Sequence, residues 1–218
     1  MKLRRGELQV FGVSFLDVLS CALGGVLLLL ILVSSSNTRR FAEASKDWDK
    51  TMVSIVGVKG DLEGVAFVFD TSGSMDTPRF EEYSEFLKIL VLKLDFKRFN
   101  VIQFGSDVDA WNPSGLAAAT PANRRRAASF VRSFKPTGSS TNTLGALQKA
   151  LNFAGVDTVV LFSDGAPDQD PKAIREWLRR NNSGVAVNTV ALGEYFQKQY
   201  GEFLQAVAQE NGGTFIGR

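Results

Sequence analysis

The stretch Val65 to Met75, Val-Ala-Phe-Val-Phe-Asp-Thr-Ser-Gly-Ser-Met, reads as a strand that ends in a polar turn. Five consecutive apolar residues rich in Val and Phe suit a strand buried on both faces, and such strands belong to parallel sheets covered by helices. Asp70, Ser72 and Ser74 then leave its C-terminal end. A second run of the same kind, Thr158 to Phe162, is followed at once by Ser163-Asp164-Gly165. Ligands of open parallel sheets bind at the edge where strands end, so two acids distant in sequence are brought to one rim.

Outward from these two runs, apolar strands alternate with helical periodicity. The pattern predicts helices near Arg79 to Leu94, Pro121 to Phe134, Thr143 to Phe153, Pro171 to Asn181 and Tyr195 to Asn211. It predicts further strands at Phe99 to Phe104, Val185 to Ala191 and Thr214 to Ile216, with an additional one near Met52 to Val58, turned by Lys59 to Gly64. The fold class that follows is α/β: a doubly wound, mostly parallel sheet with helices on both faces.

Composition restricts the chemistry. The 218 residues are 44% hydrophobic and 22% charged, a globular balance that excludes disorder. No His is present and Cys21 is the single Cys, which excludes an intramolecular disulfide, thiolate zinc and Ser-His or Cys-His catalysis. Any metal must therefore sit on oxygen. With 25 Lys and Arg against 23 Asp and Glu, the net charge of +2 gives no overall pull toward nucleic acid or anionic lipid, so partner choice comes from a local site.

A third polar segment, Gly138-Ser139-Ser140-Thr141-Asn142-Thr143, opens a helix and can reach the same rim. Asp70, Ser72, Ser74, Thr141 and Asp164 together offer five hard oxygen ligands. Hydroxyl-rich coordination of this kind suits Mg²⁺ or Mn²⁺, whereas Ca²⁺ prefers more carboxylate and backbone ligands. The arrangement resembles the metal-ion-dependent adhesion site of von Willebrand factor type A domains, whose Asp-x-Ser-x-Ser, Thr and Asp elements are matched by these five positions in the expected chain order. The resemblance covers roughly residues 62 to 218. It implies a non-enzymatic domain whose metal keeps an open position for an Asp or Glu carboxylate of a partner protein.

Rival readings are weaker. A strand followed by Asp-Thr-Ser-Gly is similar to the aspartyl nucleophile of haloacid dehalogenase-like phosphatases, but those need a second Asp two residues on, where Ser72 stands. Arg124, Arg125 and Arg126 spread over most of a helix's circumference, which reads as a solvated surface and not as a nucleic-acid site. Asp168 and Asp170 read as either shaping the rim after the metal loop or capping the helix that begins at Pro171, with the cap preferred. Phe134, Trp177 and Tyr195 read as core or groove-lining aromatics.

Upstream, residues 1–10 form a short basic tail and residues 34–51 a polar linker or helical stalk, leaving 52–218 as one domain. Between them, Phe11 to Val33 is apolar with one charge, Asp17, and at 1.5 Å per residue it is long enough to span a bilayer as a helix. Ser14, Asp17, Cys21, Gly24 and Gly25 share one helix face of small residues, which allows close approach of a partner helix. A basic tail, one span with an early Asp and the run Phe-Leu-Asp-Val-Leu-Ser-Cys-Ala-Leu-Gly-Gly resemble the B-type subunits of ion-driven membrane motors: the flagellar stator subunit, TolR and ExbD. That resemblance implies Asp17 as ion carrier, a homodimer through this helix, a multi-span ring-forming partner, and a bacterial-type inner-membrane location with the C-terminal domain exported.

Overall fold

A computed structural model describes residues 57–192 and 198–217. The segment 11–33, with Asp17, and most of the expected strand at Met52 to Val58 lie outside the described residues. Among the described residues no helix is long and apolar enough to cross a membrane.

Among the described residues seven strands form one sheet: β1 (Gly64–Asp70), β2 (Arg98–Phe104), β3 (Val108–Ala110), β4 (Ala117–Ala118), β5 (Thr158–Ser163), β6 (Ala186–Ala191) and β7 (Phe215–Gly217). Their order is β3-β2-β1-β5-β6-β7, with β4 pairing to β2. β1 pairs in parallel with β2 from Gly64↔Arg98 to Asp70↔Phe104, and with β5 from Val65↔Thr158 to Phe69↔Phe162. All seven β1 residues are buried, as the unbroken apolar run requires. Strand alternation then divides the core. Val65, Phe67 and Phe69 point toward α1 (Phe80–Lys93) and α2 (Pro121–Arg132). Ala66 and Val68 point toward α3 (Thr143–Leu151), α4 (Pro171–Asn181) and α5 (Lys198–Glu210). The doubly wound architecture read from the sequence is therefore the one observed. Phe67, Phe69 and Phe162, all 0% exposed, each contribute on the order of 2 kcal/mol through burial.

β3 and β4 are additions to the expected set. At three and two residues they are too short for an alternation signal, and both pair antiparallel to β2. Buried Asn100 fixes the segment between them: its Nδ2 donates to the carbonyls of Asn112 and Gly115, and its Oδ1 accepts from Asn112 N–H.

One expectation about the helices needs correction. Arg124 is not part of a solvated run. Its guanidinium donates to the carbonyls of Val91, Leu94, Phe96 and Ala119 and lies 4.0 Å over the Phe96 ring. Burial pushes its pKa down, with Asp95 opposing. Only Arg125 and Arg126 face solvent. The physical reason is that α2 packs along α1, and position 124 alone of the three points at the end of α1, where orphan carbonyls need a donor.

Candidate metal centre

β1 connects through α1 to β2 on one side, while β5 lies on its other side, so the chain direction across the sheet reverses between β1 and β5. That gap is the switch point, and Asp70 and Asp164 leave the strand ends on its two sides. Asp70 is 0% exposed. Its Oδ1 accepts the Ser72 N–H at 2.9 Å and its Oδ2 accepts the Ser163 hydroxyl at 2.7 Å. Ser163 Oγ accepts in turn from Gly165 N–H at 3.0 Å. Burial raises the Asp70 pKa from 3.8 to about 6, the Ser72 and Ser163 hydrogen bonds oppose this, and the negative charge of Asp164 adds to it.

A short 3-10 turn, Gly73–Met75, carries the second Ser of the motif. It places the Ser72 and Ser74 hydroxyl oxygens 3.1 Å apart. Ser72 is sealed at 1% exposure whereas Ser74 is exposed and Asp164 half-buried, so the donor set is closed below and open above.

The third segment is tied in through its backbone. Thr137 N–H donates to Thr71 O, Asn142 N–H to Gly105 O, and Thr141 N–H to Asp168 Oδ2 at 2.7 Å. Asp168 N–H returns a bond to Thr141 O, and the Ser140 hydroxyl donates to Asp168 Oδ2. These bonds hold the Asp168 pKa below the usual carboxylate range. Asp168 therefore fastens the Thr141 loop to the loop after β5 and does not cap α4. Asp170 is the cap, accepting from Lys172 N–H at 3.0 Å. Ser163 carried no expected role, and of the two roles open to Asp168 the structure shows the one at the rim and not the preferred helix cap. Adjacency to Asp164 was the available signal for Ser163, and position just after the same loop was the signal for Asp168, although its partner Thr141, 27 residues away, was not readable.

The two glycines of the loops have separate reasons. Gly165 adopts φ +84°, a left-handed conformation in which a side chain is strained. Gly73 is needed for space: a Cβ there would sit 2.5 Å from the Gly138 carbonyl oxygen. Gly73→Ala is expected to push the motif turn off the 137–143 loop, costing about 1–3 kcal/mol and weakening divalent binding at least tenfold; calorimetric titration with Mg²⁺ checks it.

The residues present fit a cation. Among the described residues neither Asp70 nor Asp164 takes part in an ion pair, and no three His, Cys, Asp or Glu side chains gather into a closed cage. What remains is a buried carboxylate, a second acid and hydroxyls at one rim. Beside it lies a polar cavity of about 260 Å³ lined by Thr71, Gly105, Asp107, Asp109, Thr137 and Gly138.

These features define a doubly wound α/β domain with an oxygen-rich rim at its switch point. The family model for the von Willebrand factor type A domain matches residues 64–217. The human von Willebrand factor A domain-containing protein 3B is 30% identical over 152 residues, which is 69% of this chain but only 11% of that protein. Among solved structures, manganese-loaded TRAP protein of Plasmodium vivax superposes with a TM-score of 0.53 at 21% identity, covering 70% of this chain and 65% of that one. Proximal thread matrix protein 1 of the mussel byssus, with a zinc-occupied MIDAS motif, also gives 0.53 at 21% identity, covering 73% of this chain and 43% of that one. The chain belongs to the von Willebrand factor type A domain family.

Proposed function

We propose that this chain is a single-pass membrane protein whose type A domain captures a partner protein through a divalent cation held by Asp70, Ser72, Ser74, Thr141 and Asp164, and that it catalyses no reaction. The observation carrying this reading is the sealed Asp70 carboxylate, which faces N–H and O–H donors and a second acid with no Lys or Arg paired to it among the described residues. A buried negative charge left in that state is costly, and a cation offsets it.

Mg²⁺ is the ion we assign, with Mn²⁺ interchangeable, because small neutral hydroxyls and two carboxylates suit a hard octahedral ion that retains water. The manganese and zinc carried by the two structural relatives support divalent binding in general. Neutral hydroxyls leave most of the ion's charge uncompensated, so it attracts an Asp or Glu carboxylate at its open position. Without the ion, Asp164, Asp168, Asp107 and Asp109 around the rim repel the same group. Dependence on metal is therefore close to absolute.

Residues 11–33 are assigned as the anchor, in a bacterial-type inner membrane with the domain exported. Melting of the full chain tests the metal site. At Mg²⁺ a hundredfold above its Kd the stabilisation is about 2.7 kcal/mol, a rise of roughly 5–10 °C over the chelated sample. Superimposable melts with Mg²⁺ and with EDTA would overturn the proposal.

A further inference from the structure

The Thr141 segment meets the loop after β5 through more bonds than its helix requires. Thr141 N–H donates to Asp168 Oδ2 at 2.7 Å, Asp168 N–H donates back to Thr141 O at 3.2 Å, and the Ser140 hydroxyl donates to the same Asp168 Oδ2. Gln169 accepts from Leu144 N–H through Oε1 and donates from Nε2 to Asn142 Oδ1, both at 3.3 Å. Gln169 has an ordinary reason, since Leu144 N–H lies in the first turn of α3, where donors lack a partner within the helix. Asp168 has no such reason. Residues 140 and 141 precede the cap at Asn142, so their donors are not orphans of the helix.

What these bonds leave unused points to their role. Both backbone groups of Thr141 are engaged, the carbonyl also accepting from Thr143 N–H at 2.9 Å, and the residue is 5% exposed. Its hydroxyl has no hydrogen-bond partner among the described residues. Thr is stiff at its first side-chain torsion, so a backbone pinned at both its N–H and its carbonyl restricts where that oxygen stands.

We infer that Asp168 is a positioning residue for the proposed metal centre, acting through Thr141: by fixing the Thr141 backbone it presets the hydroxyl for the cation. The loop after β5 then supplies one ligand, Asp164, and the frame of another that comes from a different loop. Mg²⁺ demands near-ideal octahedral geometry, and groups that orient its ligands commonly change metal affinity ten- to a hundredfold. The inference rests on the metal reading above.

Calorimetric titration of the full-length chain with Mg²⁺ tests it. Asp168→Ala should weaken binding at least tenfold while its melting temperature in EDTA moves by no more than about 3 °C, since the lost bonds lie at the surface. Asp168→Asn separates position from charge. Both donors converge on one oxygen, so an amide oxygen there can accept both without a negative charge, and binding should stay within about threefold of wild type. In a Thr141→Ala background, Asp168→Ala should cost no more than about a further threefold, because the ligand it positions is gone. Equal losses in Asp168→Asn and Asp168→Ala overturn the inference by showing that charge alone acts, as does an undiminished loss in the Thr141→Ala background. Wild-type affinity in Asp168→Ala overturns it and leaves the metal reading standing, whereas a wild-type chain that takes up no Mg²⁺ overturns both.

Discussion

Asp70→Asn abolishes the Mg²⁺-dependent rise in melting temperature, and it makes the metal-free domain more stable than the wild type at neutral pH. The first effect follows from removing the deepest of the proposed ligands, 0% exposed at the switch point of the sheet. The second follows from what that residue costs when no cation is present. Its pKa stands at about 6 in the fold against 3.8 ordinarily, because burial and the charge of Asp164 outweigh the Ser72 and Ser163 hydrogen bonds. The folded state thus binds a proton more readily than the unfolded chain. Metal-free wild type accordingly loses stability as pH rises from about 4 through 6, by about 3 kcal/mol in total, and stays flat above. Asn is neutral, keeps an oxygen for the Ser72 N–H, and lacks this slope.

Bound metal reverses the sign. It favours the carboxylate, competes with the proton, and makes stability climb over the same interval in which the metal-free protein declines. Melting curves between pH 4.5 and 7.5, with Mg²⁺ and with EDTA, should therefore diverge with rising pH for the wild type and coincide for Asp70→Asn. A variant that still responds to Mg²⁺, or a metal-free wild type with no pH slope, removes Asp70 from the site.

Much of this was readable from the chain because the signals were local. Val65 to Phe69 and Thr158 to Phe162 are continuous apolar runs, and a continuous run fits a strand covered on both faces, which places the acids that follow them at a common edge. Helix limits at Pro121 and Pro171 were equally plain, since Pro fits the first turn of a helix. What escaped the sequence was long-range and polar. Ser163 reaches Asp70 across 93 positions and Asp168 reaches Thr141 across 27, and no periodicity reports a hydrogen bond between loops. Gly73 is required by the approach of the Gly138 carbonyl, a neighbour 65 residues on that no local pattern reports. The five proposed ligands form a recognisable spacing, whereas the groups that orient them do not.

Arg124 is the sharpest case, and its replacement by Ala is expected to destabilise the domain by about 3 kcal/mol, lowering the melting temperature by roughly 6–12 °C. The side chain sits in a run of three arginines that composition alone cannot tell apart. Its guanidinium satisfies Val91 O at 2.8 Å and Leu94 O at 2.9 Å, the carbonyls that α1 leaves open at its end, and reaches Ala119 O at 3.1 Å on the segment entering α2. Truncation strips those carbonyls of their donor and removes a cation stacked 4.0 Å above Phe96. Arg124→Lys should recover less than half of the loss, because one ammonium cannot serve carbonyls that need a planar fork. Arg125→Ala and Arg126→Ala, exposed and unpaired among the described residues, should stay within about 0.5 kcal/mol of wild type. Urea denaturation of the four variants separates a clamp between α1 and α2 from a charged surface: equal effects at 124, 125 and 126 would show that the run acts as a unit, and the packing of α2 on α1 would then need another cause.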